Sequence, residues 1–309
     1  MNTHTPPPPH RLIVSTDAAN EADDQFAIVQ ALLTPTLDIR GIVAAHFGRM
    51  GSMAESRLEI ERVAALAGSA AEILDGSPDS LTDERTPAPS PGSSLIVAEA
   101  LREAGRLWIA VLGPLTDVAS ALLEAPEIAS RDVVVVWVGG PPYEEIAAYH
   151  PEFNLINDVA AANVVMESGV AVWQIPMPVY SMVGVGHAEL RTRLAGTSPL
   201  GDYLVDQLIA FNETISYGPL DFRSLGDSPA IGAVMNPAGG RWSSRPAPRF
   251  SDGGDLSPSR VDHSIRVCDA FDTRWLIEDM FAKLCEFGDR GAQAPPVGWA
   301  APAETGPSD

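Results

Sequence analysis

Residues 12–28 read LIVSTDAANEADDQFAI. The first five residues of this stretch form a short apolar run that is typical of a buried strand. Over residues 25–33 apolar side chains recur at helical spacing, which predicts a helix. Between strand and helix lies a loop, residues 17–24, with an unusual density of acidic side chains. The segment therefore predicts a strand, an acidic loop and a helix in succession.

The same alternation of strand and helix continues along the chain. Strands are predicted at residues 39–45, 107–112, 133–138, 172–175 and 264–268, and helices at 55–67, 117–123, 205–212 and 275–286. Residues 239–258 are rich in Gly, Ser and Pro and predict a long surface loop. The pattern predicts a single α/β domain with a mainly parallel, Rossmann-like central sheet flanked by helices. In such sheets ligands bind outside the carboxyl ends of the strands, so the acidic loop is expected at that edge.

The ends of the chain differ in composition from its centre. Residues 1–10 contain four consecutive prolines and predict a disordered leader, and residues 291–309 are rich in Pro, Ala and Gly and predict a flexible tail. The predicted domain therefore spans residues 11–290.

Composition excludes several classes of protein. A formal charge of −21 opposes binding to a phosphate backbone, so nucleic acid is not an expected partner. No apolar run approaches the roughly 20 residues of a membrane span, and a cytoplasmic location is the default expectation. Cys268 and Cys285 are expected to be buried thiols of a protein in a reducing compartment. The single lysine, Lys283, is expected on a solvated helix face, which argues against Schiff-base chemistry.

The acidic loop carries the first candidate chemistry. Five side chains in eight residues bear oxygen: Asp17, Asn20, Glu21, Asp23 and Asp24. Carboxylates packed together repel unless a cation neutralises them, and an all-oxygen set favours Ca²⁺ or Mg²⁺ over Zn²⁺. The alternative is an acidic N-cap region, since a helix N-terminus favours negative charge. The loop alone supports the two interpretations equally.

Four segments, in this order, resemble the inosine-uridine-preferring nucleoside hydrolase family. They are the acidic loop with its Asp23-Asp24 pair, Gly113-Pro-Leu-Thr-Asp-Val-Ala119, Val135-Val-Trp-Val-Gly-Gly140 with Glu152-Phe-Asn154 and Asp158, and Leu225-Gly-Asp-Ser-Pro-Ala230. The Asn-Glu-x-Asp-Asp form of the loop, two residues longer than usual, looks like that of a divergent branch. Each motif alone is modestly specific and has a structural alternative as a turn or a helix cap, whereas their ordered combination is strongly specific.

The resemblance implies the nucleoside hydrolase fold and Ca²⁺-dependent hydrolysis of a ribonucleoside to free base and ribose. It implies that Asp17, Asp24, Asp227 and the backbone carbonyl of Thr116 hold the metal, and that Asp17 also accepts the proton of the attacking water. The family commonly forms homodimers or homotetramers, so a homo-oligomer is expected.

Further positions follow from the same resemblance and would bind the substrate. Asp23 and Asn154 are the positions expected to bind ribose hydroxyls, Glu152 is expected to reach toward the 5′ side, and Asn20 is expected to assist from the longer loop. Two other polar positions of the family are occupied by Ile146 and by Phe47-Gly48 in this chain.

The leaving base has no assigned acid in the sequence. Some family members carry a general-acid histidine immediately before the last metal aspartate, where this chain has Gly226. His46, His150, Tyr149, Tyr180 and Tyr217 remain as alternatives, and stacking on Trp137, Trp173 or Tyr180 would require no acid.

Two other functions are to be weighed against hydrolysis. A Mg²⁺-dependent phosphatase of the haloacid-dehalogenase type also starts from an aspartate after a strand, but it requires a second aspartate two residues on, where this chain has Ala19, and a well-placed lysine. A calcium-dependent nucleoside- or sugar-binding protein that has lost catalysis is the non-enzymatic alternative, because Gly226 replaces the acid.

Overall fold

The structure is a computed structural model that describes residues 8–146, 150–216 and 219–293. Its strands are β1 His10–Thr16, β2 Leu37–Ala44, β3 Ile73–Asp75, β4 Leu107–Val111, β5 Val133–Val138, β6 Ala171–Ile175, β7 Gly184–Gly186, β8 Phe222–Ser224, β9 Gly240–Pro246, β10 Arg249–Phe250, β11 Leu256–Ser257 and β12 Ser264–Phe271. Its α-helices are α1 Asp24–Leu32, α2 Ser52–Leu66, α3 Pro91–Ala100, α4 Thr116–Glu124, α5 Phe153–Asn157, α6 Val159–Glu167, α7 Met177–Tyr180, α8 His187–Leu194, α9 Pro199–Glu213, α10 Ser228–Met235 and α11 Thr273–Gln293.

Eight strands form one central sheet in the order β3-β2-β1-β4-β5-β6-β12-β9. All neighbours are parallel except β9, which runs antiparallel to β12 at the edge. The mainly parallel α/β sheet predicted from the sequence is therefore confirmed. Strand order runs one way from β1 to β3 and the other way from β4 to β6, so the chain reverses direction between β1 and β4. At such a reversal the loops that leave the two strands diverge and open a crevice at their carboxyl ends.

The helices cover the sheet on both faces. Alternate side chains of each central strand enter opposite cores, as period-two geometry requires. In β5, Val134, Val136 and Val138 pack into one core with α1, α10 and α11, whereas Val135 and Trp137 pack into the other with α4 and α6. Because both faces are buried, these strands read as continuous apolar runs in the sequence.

The segment predicted as a long loop, residues 239–258, is a correction. It contains β9, which pairs with β12 over most of its length, and the short β10–β11 hairpin. Three of the seven residues of β9 are exposed and none is buried, so its side chains lack the apolar signal of a central strand. Pairing with a strand some twenty residues later is a tertiary effect that local composition does not reveal.

The ends of the domain and three side chains differ in part from the sequence predictions. β1 begins at His10, inside the predicted leader, and α11 extends to Gln293, inside the predicted tail; residues 1–7 and 294–309 lie outside the described residues. Lys283 is not on a solvated face, because its ammonium donates to Thr34 Oγ1 (2.8 Å) and to Asp279 Oδ2 (2.6 Å) with the side chain 17% exposed. Cys268 is buried and Cys285 half-buried, and both are free thiols. Among the described residues no helix has the length and apolar character of a membrane span.

Candidate active site

A pocket lies at the carboxyl ends of β1 and β4, where the strand order reverses. Residues from the loops that follow β1, β4, β5, β6 and β8 line it: Asp17, Asn20, Glu21, Asp23, Asp24, Leu112, Val138, Glu152, Phe153, Asn154, Tyr180, Gly226 and Asp227. Segments far apart in sequence thus converge at the edge predicted for ligand binding. All of the predicted site residues except Thr116 line this pocket.

Three aspartates form the centre of the pocket. Asp23, Asp24 and Asp227 are buried, and each offers a carboxylate oxygen that lies within 4.8 Å of the others. Asp23 and Asp227 occupy the N-cap positions of α1 and α10, yet neither side chain makes a capping hydrogen bond. The acidic N-cap alternative therefore does not explain these residues, because their carboxylates face one another instead of the helix amides.

Asp17 stands beside this cluster with an unsatisfied oxygen. It directly follows β1, is only 2% exposed, and its Oδ2 has no hydrogen-bond partner among the described residues. A Cβ atom at Gly113, after β4, would come within 2.7 Å of Asp17 Oδ1, so the carboxylate fits only against a glycine. A buried carboxylate oxygen without a partner is costly, and a cation is the partner that would relieve it.

The electrostatics of the carboxyl cluster also favour a bound cation. Burial raises the pKa of Asp17, Asp23 and Asp227 well above the ordinary value, and the neighbouring carboxylates raise it further. Burial raises the pKa of Asp24 to about 6, although a hydrogen bond from the Thr16 hydroxyl opposes the shift. Four such carboxyls cannot all be ionised together without a compensating charge. The donor set is entirely oxygen, so these residues fit a hard divalent cation such as Ca²⁺ or Mg²⁺.

Glu152 and Asn154 form the opposite wall. Glu152 Oε2 accepts hydrogen bonds from the backbone amides of Gly140 (2.8 Å) and Leu155 (2.8 Å). Its Oε1 accepts hydrogen bonds from the backbone amide of Asn154 (3.2 Å) and from the Tyr180 hydroxyl (3.0 Å). Burial raises the pKa of Glu152, and these donors oppose the shift.

The Asn154 side chain is oriented by backbone carbonyls. Its Nδ2 donates to Leu112 O (2.7 Å) and Val138 O (2.9 Å), which uses both amide hydrogens. Oδ1 is thus the atom of the side chain with which Asn154 can accept a ligand hydroxyl.

Comparison with known proteins identifies the family. A sequence profile described as "Inosine-uridine preferring nucleoside hydrolase" matches residues 12–267. The chain belongs to the inosine-uridine preferring nucleoside hydrolase family.

Individual members of this family are similar to the chain at moderate identity. Uridine nucleosidase 1 of Arabidopsis thaliana is 28% identical over 205 residues, which cover 58% of this chain and 60% of that protein. The pyrimidine-specific ribonucleoside hydrolase RihA of Salmonella typhimurium is 25% identical over 228 residues, covering 65% and 71%. The chain spans less than two thirds of the length of the plant uridine nucleosidases it matches. A purine-preferring ribonucleoside hydrolase from Gardnerella vaginalis shares the fold, with a TM-score of 0.77 at 19% identity over 91% of this chain and 99% of that one.

Thr116 is the one predicted ligand that the structure does not bring to the pocket. It is the first residue of α4, and its carbonyl accepts the Ser120 hydroxyl (2.8 Å). Its own hydroxyl donates to Asp158 Oδ2 (2.7 Å) and lies 2.9 Å from His46 Nε2. Thr116 therefore belongs to a buried polar network beneath the site, and Leu112, which precedes the family's Gly-Pro turn, lines the pocket in its place.

The structure separates the alternatives for the leaving-base side. Tyr180 lines the pocket, whereas His46 is held in the Thr116 network, where burial lowers its pKa, and His150 is exposed away from the lining. Trp137 donates its indole N–H to Gly113 O (3.1 Å) and Trp173 packs edge-on against Trp108, so both are core residues. Tyr149 and Tyr217 lie outside the described residues.

Arg223, on β8, does not line the pocket but contacts the acidic loop, and the sequence analysis missed it. Its guanidinium forms an ion pair with Glu21 of the acidic loop, donates to Asn212 Oδ1 (3.2 Å) and stacks 4.4 Å from the centre of the Phe211 ring. The positive charge also lowers the pKa of Asp23 against the larger effect of burial. A lone arginine three residues before Gly226 gives no sequence signal of this contact, which forms only in the folded chain.

Proposed function

We propose that this chain hydrolyses the N-glycosidic bond of a ribonucleoside to free base and ribose, and that the reaction depends on Ca²⁺. The observation that carries the proposal is the group of four buried carboxyls at the sheet reversal, with the orphaned Asp17 Oδ2, in a chain of this family. A cluster of this kind is poorly explained by stability, because burying like charges is unfavourable without a counter-ion.

The cation would be held by Asp17, Asp24 and Asp227. The carbonyl of Leu112 is the neutral oxygen we propose in place of Thr116, since Leu112 lines the pocket and its carbonyl meets Asn154 there. When bound, the cation supplies positive charge that lowers the pKa of water and offsets the charge of the carboxylates. Ca²⁺ is proposed over Mg²⁺ because carboxylates drawn from separate loops suit its adaptable coordination, in agreement with the family resemblance.

The residues of the chain divide the remaining work. Asp17, with an oxygen that has no hydrogen-bond partner in the described part of the chain, accepts the proton of the attacking water. Asp23 and Asn154 accept the ribose hydroxyls, and Asn20 adds an amide from the longer loop.

Glu152 differs from these residues because protein donors already surround its carboxylate. Gly140, Asn154 and Leu155 bind it through backbone amides, and Tyr180 binds it through a hydroxyl. A substrate hydroxyl therefore binds Glu152 only when the Tyr180 hydroxyl breaks its hydrogen bond to that carboxylate.

The relatives do not agree on a base. They are named uridine nucleosidase and pyrimidine-specific hydrolase by sequence, and purine-preferring hydrolase by structure. The test is therefore a panel of inosine, adenosine, guanosine, uridine and cytidine, with free base measured by chromatography in the presence of Ca²⁺ and after treatment with EGTA. We expect base release from at least one nucleoside and its loss on chelation. Bound Ca²⁺ with nucleoside binding but no turnover across the panel would instead support the non-catalytic binding protein.

A homodimer or homotetramer and a cytoplasmic location, both expected from the sequence, complete the proposal. Light scattering coupled to size-exclusion chromatography measures the first directly, and a monomer at micromolar concentration would contradict it.

A further inference from the structure

The pocket has many hydrogen-bond acceptors and few donors. Among the described residues its polar side chains comprise six carboxyls, two amides and one phenol: Asp17, Glu21, Asp23, Asp24, Glu152, Asp227, Asn20, Asn154 and Tyr180. The Asn154 side-chain amide donates both of its hydrogens to backbone carbonyls. When the carboxyls are ionised around a bound cation, Asn20 and Tyr180 are the described lining side chains that can still offer a hydrogen to a bound molecule.

Tyr180 is fixed in place by the segment that carries Asp227. Its backbone carbonyl accepts the Ser224 hydroxyl (2.7 Å), and the amide of Leu225 donates to the carbonyl of Val183 just after it (2.9 Å). A Cβ atom at Gly226 would come within 3.0 Å of the Tyr180 ring and 3.3 Å of Asp23 Oδ2. The ring therefore lies directly over Gly226, in the space into which a side chain at position 226 would project.

The hydroxyl of Tyr180 is not the sole donor to its present partner, Glu152. It donates to Glu152 Oε1, but Glu152 also accepts three backbone amides, two on Oε2 and one on Oε1. The carboxylate stays fixed and solvated by these amides when the phenol turns away. Rotation of the hydroxyl towards the pocket leaves Glu152 with these three backbone donors.

We propose that Tyr180 is a catalytic residue on the leaving-group side, where its ring contacts the base and its hydroxyl donates a hydrogen bond to the departing base. The inference rests on the proposed hydrolysis and identifies the donor that this reaction needs. It also explains Gly226, because a side chain there would displace the ring.

The step balances without another reactant. The C1′–N bond breaks with its electron pair on the base nitrogen while the water oxygen bonds to C1′. One water hydrogen stays on the ribose, and the other, accepted by Asp17, reaches the base through solvent. Tyr180 keeps its proton and stabilises the charge that develops on the base, in a pocket whose carboxylates would otherwise repel that charge.

The test compares Tyr180→Phe with the wild-type protein on two substrates. One is the nucleoside of the panel that the wild type cleaves fastest; the other is p-nitrophenyl β-D-ribofuranoside, whose phenolate is a stable leaving group that requires no donor. We expect kcat for the nucleoside to fall about 100-fold, in the range for loss of one donor to a developing anion. We expect kcat for the p-nitrophenyl riboside to change less than threefold.

Tyr203→Phe is the matched control, because the Tyr203 hydroxyl also donates to a glutamate, Glu59, outside the pocket. It is expected to leave both rates unchanged, and Ca²⁺ affinity measured by calorimetry reports whether the pocket of Tyr180→Phe is intact. Equal losses on the two substrates, or no loss on the nucleoside, would overturn the role of Tyr180. If the wild type cleaves neither substrate, the proposed hydrolysis itself fails and this inference fails with it.

Discussion

Chelation of divalent cations is expected to lower the thermal stability of the protein at pH 7.5, and acid is expected to weaken that dependence. The physical reason lies in Asp17, Asp23, Asp24 and Asp227, whose pKa values burial raises and which repel one another when ionised. Because the folded pKa of Asp24 is about 6 against 3.8 in its ordinary state, folded cation-free protein holds this proton more tightly than unfolded protein does. Its stability therefore falls as pH rises from 3.8 through about 6.

The magnitude follows from linkage. A ligand that binds only the folded state adds about 2.7 kcal/mol at 100 times its dissociation constant. For a chain of this size about 2 °C corresponds to 1 kcal/mol, so the melting temperature is expected to rise by about 5 °C with Ca²⁺. At pH 5, one unit below the pKa of Asp24, the cation must displace a proton, which reduces the apparent affinity about tenfold and the stabilisation by about 1.4 kcal/mol.

Differential scanning fluorimetry with fixed free Ca²⁺ or with a chelator, at pH 7.5 and pH 5, measures these shifts. Asp227→Asn is expected to abolish the Ca²⁺-dependent shift, whereas Asp206→Asn, which changes an exposed aspartate of α9, retains it. Equal melting temperatures with and without Ca²⁺ at pH 7.5 would refute the reasoning, as would a larger shift at pH 5 than at pH 7.5.

Three other substitutions test separate parts of the account. Gly113→Ala places a Cβ 2.7 Å from Asp17 Oδ1 and is expected to weaken Ca²⁺ binding, measured by calorimetry, at least tenfold. The control, Gly184→Ala, adds a Cβ in open space and is expected to leave Ca²⁺ affinity unchanged. Equal affinities of the two variants would count against Asp17 as a ligand. Thr116→Val removes the buried hydrogen bond to Asp158 and is expected to lower the free energy of unfolding in urea by about 1–3 kcal/mol, with Ca²⁺ affinity retained within twofold. Loss of Ca²⁺ binding would restore Thr116 as a ligand. Glu99→Gln leaves three arginines without their carboxylate and is expected to cost about 3–5 kcal/mol at pH 7. Burial raises the pKa of Glu99, but these arginines outweigh that effect and hold the pKa at about 2. The stability difference between wild type and Glu99→Gln is therefore full above pH 4.5 and is lost as pH falls towards 2. A stability difference that does not depend on pH would disprove the pairing.

The sequence was sufficient for the parts of the site that are encoded in neighbouring residues. The acidic loop follows β1 directly and precedes α1, so apolar run, turn and helix period together place Asp17 at a sheet edge. Glu152 and Asn154 are a different case, because only the family resemblance pointed to them and α5, which begins there, is not among the predicted helices. For the acidic loop the local pattern fixes both the element and the end of the strand at which the polar groups emerge.

Other features depend on distances that no local pattern contains. The backbone path from Leu112 to Thr116 decides which of these residues lines the pocket; the sequence predicted Thr116, whereas Leu112 lines the pocket and the Thr116 carbonyl accepts the Ser120 hydroxyl. The contact of Tyr180 with Gly226 joins positions 46 residues apart, and the ion pair of Arg223 with Glu21 joins positions about 200 apart. Such pairs become visible only when the sheet order brings the loops after β1, β6 and β8 together.

Release of free base from a ribonucleoside by wild-type protein and by Asp17→Asn, each saturated with Ca²⁺, measures directly whether the chain is a nucleoside hydrolase that uses Asp17. The wild type is expected to yield base and ribose in equal amounts without added phosphate, and Asp17→Asn to lose at least 100-fold in rate because the acceptor of the water proton is gone. Base release by Asp17→Asn at the wild-type rate, or none by the wild type from any nucleoside of the panel, would contradict the account.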